Sequence, residues 1–176
     1  MNTTLPSTDF FINYGNRLQA SLAAAEWSEV AHLGADIHEC WLEKRQVFIC
    51  GNGGSAGNAI HIENDFLYGV RKKSGAGANI TALPANPSVL TCLANDIGYS
   101  NIFSEQLMVK GQAGDLLIVL SGSGNSPNIL QVLKAAKKMD IRTVAILGYS
   151  GGEAQSLADI VIHAEIEDMQ ISEDIQ

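Results

Sequence analysis

Two glycine- and serine-rich segments each follow an apolar run, and their residue types are those that bind phosphate. Residues 50–55 (CGNGGS) follow the run 47–49, and residues 121–126 (SGSGNS) follow the run 116–120. Glycine lets backbone N–H groups converge on an anion, serine hydroxyls add donors, and a helix that begins after each loop directs its positive end to the same point. The pair of loops therefore predicts a site for a sugar phosphate.

The second loop carries three serines within six residues, namely Ser121, Ser123 and Ser126. A simpler interpretation is a turn followed by a helix cap, because Ser126 and Pro127 form an ordinary helix start. Capping requires only one hydroxyl, and it is compatible with phosphate binding. We therefore expect this loop to bind phosphate as well as to begin a helix.

His61 and Asp65 are the side chains nearest the first loop that suit acid–base chemistry. They are four residues apart in a segment with a helical pattern, so they lie on one helix face, whereas Glu63 lies on another. An acid–base or metal role beside a bound sugar and a purely structural pair are equally compatible with this spacing. Asp96 follows a predicted helix, where it is either a turn residue or an acceptor for a sugar hydroxyl.

Nucleotide binding is the alternative for the first loop. Gly51, Gly53 and Ala56 fit a relaxed dinucleotide-binding fingerprint. That fingerprint requires an acidic residue at the end of the second strand, where this chain has residues 83–86 (LPAN). No glycine-lysine pair followed by serine or threonine continues the loop, so a P-loop is excluded. We expect no nucleotide cofactor.

The elements that position these residues alternate along the chain. Two amphipathic helices come first, with apolar residues at three- and four-residue steps over 9–22 and 30–41. Strands are predicted at 46–50, 79–83, 115–120, 142–147 and 159–164, and helices at 55–68, 87–95, 101–109, 127–139 and 153–157. Aliphatic strands separated by helices indicate an α/β fold, a doubly wound five-stranded parallel sheet between helices. Ligands bind beyond the carboxyl ends of such strands, where both loops fall.

Composition limits the class of protein. The 176 residues are 46% hydrophobic and 17% charged, which suits a single domain, 1–176, with a helical segment at 1–45 and an α/β core at 46–176. A net charge of −8 argues against a nucleic-acid partner. The basic residues 71–73 are expected to be a solvated edge, and 72–77 a surface turn.

Cysteine usage and the chain start indicate a cytoplasmic protein. Cys40, Cys50 and Cys92 are odd in number, lack C-x-x-C spacing and lie in apolar segments, so we expect buried free thiols, with no disulfide and no cysteine-bound zinc. Residues 1–9 are polar, without an apolar signal core, and the longest aliphatic run, 116–120, is too short to span a membrane.

Taken in order, several motifs resemble the SIS (sugar isomerase) domain family and within it the bacterial phosphoheptose isomerases. The motifs are residues 51–55, His61, residues 94–98, residues 114–115 with 121–128, and residues 151–152. The resemblance implies a homotetramer with active sites at subunit interfaces. It also implies interconversion of sedoheptulose 7-phosphate with an aldoheptose 7-phosphate for heptose-containing surface glycans such as lipopolysaccharide or capsule.

Site residues follow from the same resemblance, position by position. The residues that bind the phosphate would be Ser55, Ser121, Ser123 and Ser126. The residues that contact the sugar would be Asn52, its neighbour Gly53, Ser88 and Asp96. Some members bind zinc through residues that match His61, Asp65 and Gln170. Because isomerisation moves a proton between C1 and C2 through an enediol, Asp65 is the expected base and His61, alone or through a metal, the polarising group.

Three departures separate this chain from the well-known heptose isomerases. Asp65 stands where they have glutamate, which shortens the reach of the base by one methylene, although related SIS branches carry aspartate. Gly122 replaces a threonine. The family's catalytic histidine follows the match to Gln170 by about two helical turns, beyond Gln176, so Ile171 and Ile175 are expected to begin a helix that is cut short. Because of these departures, the chain could instead be a noncatalytic SIS module. Such a module would be either a phosphosugar-sensing regulator or a protein like the SIS-family replication-initiation cofactor.

Overall fold

Five parallel strands form one sheet in the computed structural model, which describes residues 7–176. The polar residues 1–9, which argued against a signal sequence, lie mostly outside the described residues. The strands are β1 (Val47–Gly51), β2 (Ile80–Ala82), β3 (Leu116–Ser121), β4 (Arg142–Leu147) and β5 (Ile160–His163). Their order across the sheet is β2-β1-β3-β4-β5. The predicted fold class is therefore confirmed.

Nine α-helices accompany the sheet within these residues. They are α1 (Thr8–Ala23), α2 (Trp27–Glu43), α3 (Gly54–Asn64), α4 (Val70–Ser74), α5 (Pro87–Ile97), α6 (Ser104–Lys110), α7 (Pro127–Lys138), α8 (Ala154–Leu157) and α9 (Met169–Ile175). Short 3₁₀ turns at Leu83–Ala85 and Tyr99–Asn101 precede α5 and α6. The predicted helices are all present, to within a few residues at their ends.

Each face of the sheet is covered by helices, because alternate strand residues point to opposite sides. Phe48 and Cys50 of β1 join a buried cluster with residues of α5, α6 and α7. Val47 and Ile49 face the other side, where α2 and α3 pack. Strands that are buried on both faces must be apolar throughout, which explains why they were visible in the sequence.

The strand order places the two glycine-serine loops side by side. In a sheet of this order the chain proceeds from β1 outward in both directions, so a crevice opens between the carboxyl ends of β1 and β3. These two strands are paired in register from Val47 with Leu116 to Gly51 with Leu120. Both loops therefore leave the sheet at its topological switch point.

A π-helical turn interrupts the helix that follows the first loop. The turn spans Asp65–Gly69, and the N–H of Val70 bonds to the carbonyl oxygen of Asp65, five residues earlier. Helical structure thus runs from α3 through this turn into α4, further than the predicted end at residue 68. Such turns are uncommon and occur frequently at functional sites.

Two sequence expectations were wrong in detail. Cys92, expected to be buried, is exposed, because α5 turns Leu90, Leu93 and Ala94 toward the core and Cys92 away from it. Lys72 and Lys73, expected in a surface turn, belong to α4, which ends at the left-handed Gly75 (φ 83°). Cys40 and Cys50 are buried free thiols, as expected.

No residue of the N-terminal helix α1 is fully buried against the rest of the chain. Phe10, Phe11 and Ile12 each expose more than half of their surface. Among residues 7–176, no helix combines the length and the apolar character needed to cross a lipid bilayer.

Candidate functional site

A cleft of about 260 Å³ lies between the two glycine-serine loops. Its walls are formed by residues of the first loop, of the second loop and of α9; they are Asn52, Gly53, Ser55, Leu120, Ser121, Gly122, Ser123, Ser126, Met169 and Glu173. Six of the predicted phosphate and sugar contacts are thus gathered in one place. The α9 residues were not predicted.

The first loop turns sharply from β1 into α3. A side chain on Gly51 would approach the backbone of Ser55 to 2.8 Å, and Gly53 has a φ of +56°, so both positions favour glycine. Ala56 is the first residue whose N–H bonds back to the loop, with the carbonyl oxygen of Gly53 at 3.1 Å. The amides at the very start of α3 precede that bond, and Gly53 and Ser55 on either side of Gly54 line the cleft. Unpaired amides at a helix start are groups that can stabilise an anion.

The second loop uses its serine oxygens as acceptors within the turn. Ser121 Oγ accepts from the N–H of Gly124 at 3.1 Å, and Ser123 Oγ accepts from the N–H of Asn125 at 3.3 Å. A hydroxyl that accepts a bond still has its own hydrogen to donate. Both serines line the cleft, so each hydroxyl retains a hydrogen that could be donated to a bound ligand.

Close backbone contact fixes the shape of the second loop. Gly124 has a φ of +65°, and a side chain there would overlap the carbonyl oxygen of Gly151. The N–H of Ala154 donates to the carbonyl oxygen of Gly124 at 3.0 Å. The glycines at 151 and 152, part of the family motif, therefore serve as a close-packed support beneath the loop.

Ser126 is the first residue of the turn into α7, but its side chain makes no capping bond. The carbonyl oxygen of Ser126 accepts from the N–H groups of Ile129 and Leu130, each at 3.0 Å. The helix therefore begins at Ser126 and Pro127 as predicted, but the Ser126 side chain does not cap it. Its hydroxyl lines the cleft instead.

A reciprocal pair of amides joins the two loops. Asn52 Nδ2 donates to Asn128 Oδ1 at 2.9 Å, and Asn128 Nδ2 donates to Asn52 Oδ1 at 2.8 Å. The hydroxyl of Tyr99 also donates to Asn52 Oδ1, at 2.9 Å. Asn128 is completely buried. Both lone pairs of Asn52 Oδ1 are occupied, and one of the two Nδ2 hydrogens is donated to Asn128, which leaves one N–H for a ligand.

The C-terminal helix α9 forms one wall of the cleft. Ser55 Oγ donates to Gln176 Oε1 at 2.6 Å, and Asn58 Nδ2 donates to the carbonyl oxygen of Glu173 at 2.7 Å. The Glu173 carboxylate lies against Gly54, so closely that a side chain on Gly54 would overlap it. A negative group from α9 therefore sits at the start of α3.

Helix α9 is held in this place by its own cap and by α1. Asp168 accepts from the N–H groups of Gln170 and Ile171, and Arg17 forms an ion pair with it at 2.8 Å. The N–H of Ile171, more than any other group, holds the pKa of Asp168 below its usual value. Tyr14 donates its hydroxyl to Asp174, and this bond, before any other effect, raises the pKa of Tyr14 to about 12.

His61 and Asp65 form a contact outside the cleft. His61 Nε2 lies 3.4 Å from Asp65 Oδ2, as their spacing on one helix face predicts. Their side chains are 75% and 59% exposed. Ile60, Leu67 and Tyr68, which are close to the pair in sequence, are exposed apolar side chains. Asp65 is also the first residue of the π-helical turn.

Three further predicted site residues lie away from the cleft walls. Ser88 is exposed in the first turn of α5, where Asn86 caps the helix, and Asp96 is exposed in the last turn of the same helix. Gln170 points to the α1 side of α9, where its amide donates to Asp174 at 3.1 Å. Within the one chain, these residues and the pair at 61 and 65 are not brought to the phosphate loops.

The residues that the family resemblance assigns to zinc do not assemble a complete metal site in this chain. His61 and Asp65 adjoin each other, but Gln170 is bonded to Asp174 beside α1. Across residues 7–176, no group of three histidine, cysteine, aspartate or glutamate side chains is arranged to hold a metal ion. Of the three residues assigned to zinc, only His61 and Asp65 therefore lie in contact with each other.

Sequence reasoning missed four residues of the site, namely Tyr99, Asn128, Met169 and Glu173. Asn128 could have been predicted from the sequence, because it follows the second loop almost directly. Tyr99 and the two α9 residues approach the cleft only through the folding of distant segments, and no local pattern indicates that.

Known proteins resemble this chain over most of its length. The SIS domain family matches residues 10–148 of the chain. The phosphoheptose isomerase of Chlorobaculum parvum is 37% identical over 154 residues, which span 85% of this chain and 72% of that protein. The phosphoheptose isomerase of Akkermansia muciniphila is 43% identical over 117 residues, 66% of this chain, and that of Sulfurimonas denitrificans is 43% identical over 120 residues, 67% of this chain. The chain spans only about three fifths of these last two, 61% and 60%.

Solved structures show the same fold. A phosphoheptose isomerase from Neisseria gonorrhoeae superimposes with a TM-score of 0.85 at 26% identity, over 95% of this chain and 88% of that one. A phosphoheptose isomerase from Francisella tularensis has a TM-score of 0.89 at 24% identity, over 97% and 92% of the two chains, and shows the fold alone.

Proposed function

The chain belongs to the SIS domain family, and on that premise we propose that it is a phosphosugar aldose–ketose isomerase of the phosphoheptose isomerase type. Its substrate would be sedoheptulose 7-phosphate and its product D-glycero-D-manno-heptose 7-phosphate, a precursor of heptose-containing surface glycans. Relatives named phosphoheptose isomerase support this assignment.

The observation that carries the proposal is the shared cleft of the two loops. It combines the start of α3 with the hydroxyls of Ser121 and Ser123, whose oxygens are already engaged as acceptors and whose hydrogens are free to donate. An oxyanion placed here would receive charge-assisted hydrogen bonds from both loops. This is the arrangement that a sugar phosphate needs at its phosphate end.

The reaction requires a group that transfers a proton from one carbon atom of the sugar to the next. A base removes a proton from C1 of the open-chain ketose, which gives an enediol, and the same proton or one from solvent is delivered to C2, while a hydroxyl proton passes from O1 to O2. We assign the base to Asp65 and the polarisation of the oxygens to His61. Their mutual contact and the π-helical turn at Asp65 support these roles.

We assign no step to a metal. Zinc bound in some family members would polarise a carbonyl oxygen, but this chain brings together only two of the matching donors. The phosphate loops and the His61–Asp65 pair suffice to state the chemistry.

We propose a homotetramer with the active sites at subunit interfaces. The exposed apolar residues close in sequence to His61 and Asp65, and those along α1, are surfaces that a second subunit would cover. Covering the pair would exclude water, which strengthens electrostatic interactions at a reacting centre. The free thiols Cys40 and Cys50 are typical of a reducing compartment, so we place the enzyme in the cytoplasm.

Proton exchange tests the reaction directly. Sedoheptulose 7-phosphate is incubated with the protein in D₂O, and the C1 and C2 proton signals are followed by NMR. We expect loss of a C1 proton signal and the appearance of aldose product deuterated at C2. Absence of both exchange and aldose product, with inorganic phosphate still bound, would instead favour a noncatalytic phosphosugar-binding SIS module.

A further inference from the structure

The phosphate cleft contains a carboxylate that the proposed reaction does not use. Glu173 lines the cleft together with Ser55, Ser121 and Ser123, and its carboxylate lies against Gly54 at the start of α3. Its backbone carbonyl is tied to the same helix by Asn58. Glu173 is thus held at the phosphate end of the site, whereas Asp65 lies at the far end of α3.

The start of α3 is where the proposed phosphate would bind. Backbone N–H groups at a helix N-terminus carry partial positive charge, so they stabilise an anion from a ligand or from a side chain. Two anions at one such position repel each other. A phosphate and the Glu173 carboxylate therefore compete for this point.

Other contacts of α9 reinforce this occupancy. The Ser55 hydroxyl, a predicted phosphate donor, is committed to Gln176. Met169 packs near Gly122 of the second loop, where a side chain would approach its sulfur to 2.7 Å. Three residues of α9 and its end thus contact the three parts of the phosphate cradle: the start of α3, the Ser55 hydroxyl and the second loop.

We propose that Glu173 is a resident anion that occupies the phosphate position when no ligand is bound and must be displaced by the substrate phosphate. This inference rests on the proposed function, because it assumes that the cleft binds phosphate. Helix α9 then inhibits phosphate binding by the chain to which it belongs. Two contacts with α1 oppose its displacement, namely Arg17 with Asp168 and Tyr14 with Asp174.

The test compares inorganic phosphate binding, measured by titration calorimetry, in the full chain and in the variant Glu173→Gln. Loss of the competing charge should tighten phosphate binding by about fivefold, the magnitude of a charge at a helix N-terminus. The matched control is Glu167→Gln, which removes one negative charge from an exposed position outside the cleft. Phosphate affinity in the control should equal that of the unchanged chain.

Each outcome decides the matter. Unchanged or weaker phosphate binding in Glu173→Gln, with the fold intact by circular dichroism, would overturn the resident-anion role. Ser121→Ala, made in both backgrounds, tests the cradle separately. If Ser121→Ala weakens binding but Glu173→Gln has no effect, this inference fails and the phosphate site stands. If neither variant alters binding, the proposed function fails as well.

Discussion

Asp65 is the residue on which the proposed chemistry depends most. It begins the π-helical turn, lies 3.4 Å from His61 through its Oδ2 atom, and is more than half exposed. A carboxylate is a base only when ionised, and the corresponding amide is almost the same size but cannot accept the proton.

Asp65→Asn should therefore abolish isomerisation and leave phosphate affinity nearly unchanged. The expected loss of kcat is at least about 100-fold, a low value for removing a general base. Aldose formation from sedoheptulose 7-phosphate measures the rate, and phosphate titration measures binding. Glu63→Gln on the same helix is the control and should retain activity. An active Asp65→Asn variant would remove Asp65 from the role of base.

For individual residues, the sequence was a better guide to the types of side chain at the site than to their positions. Ser55, Ser121 and Ser123 were predictable because each lies on a loop whose position is set by the strand just before it. Gln170 was assigned by resemblance, yet Met169 and Glu173 are the α9 residues that line the cleft. These two are four residues apart and share one helix face, whereas Gln170 lies about 100° further round the helix from Met169 and bonds to Asp174. Small register differences of this kind are invisible without packing.

Among the elements, the two phosphate loops act as one unit because of Asn128. Its amide exchanges two hydrogen bonds with Asn52 and is completely buried. The backbone N–H of Ile129 also donates to Asn128 Oδ1, at 3.0 Å. Removing this side chain would leave buried polar groups of both loops without partners.

Asn128→Ala should lower the free energy of unfolding by about 1–3 kcal/mol, the usual cost of unsatisfied buried hydrogen-bonding groups. Phosphate binding should weaken as well, because the loops lose their fixed separation. Urea denaturation and phosphate titration measure the two effects. Asn16→Ala, on the exposed face of α1, is the control and should change neither. Wild-type phosphate affinity in Asn128→Ala would show that the loops are positioned independently.

The contact between α1 and α9 should depend on alkaline pH. Bonding to Asp174 raises the pKa of Tyr14 from 10.0 to about 12. The contribution of the contact is therefore complete below pH 10 and is lost as pH rises through about 12, when the phenol ionises beside a carboxylate. A difference titration of phenolate absorbance between the unchanged chain and Tyr14→Phe isolates this residue. A difference midpoint near pH 10 would contradict the bond.

The strands and most helices were predictable because their burial imposes a local pattern. Val47 to Cys50 must all be apolar, since the sheet is covered on both faces. The π-helical turn at Asp65–Gly69 was not predictable, because it is defined by its hydrogen bonds and these residues carry no sequence signal that distinguishes it from an ordinary helix. The attachment of α9 to α1 depends on one ion pair and one hydrogen bond between distant segments.

For the molecule as a whole, α1 is the clearest indication of assembly. Phe10, Phe11 and Ile12 are exposed at 61%, 62% and 54%, and no residue of the helix is fully buried within its own chain. An amphipathic helix gains most of its stability from a packed apolar face, so a partner surface is expected here.

Phe11→Asp should therefore shift the assembly to a smaller species, because a charge replaces an apolar side chain in the proposed interface. Size-exclusion chromatography with light scattering measures the molar mass. We expect a tetramer for the unchanged chain and for the control Gln19→Asp, which alters an exposed polar position on the same helix. A Phe11→Asp variant of unchanged mass would place the subunit interface elsewhere.

The outward orientation of Cys92 has a practical consequence for experiments on this protein. Its thiol is exposed on α5, while those of Cys40 and Cys50 are buried, so a maleimide dye should attach to Cys92 first. The hydrogen bond to Asp96 raises the pKa of the Cys92 thiol, and labelling should accelerate under mildly alkaline conditions. A single fluorophore would then mark α5 beside Asp96 without any engineered cysteine.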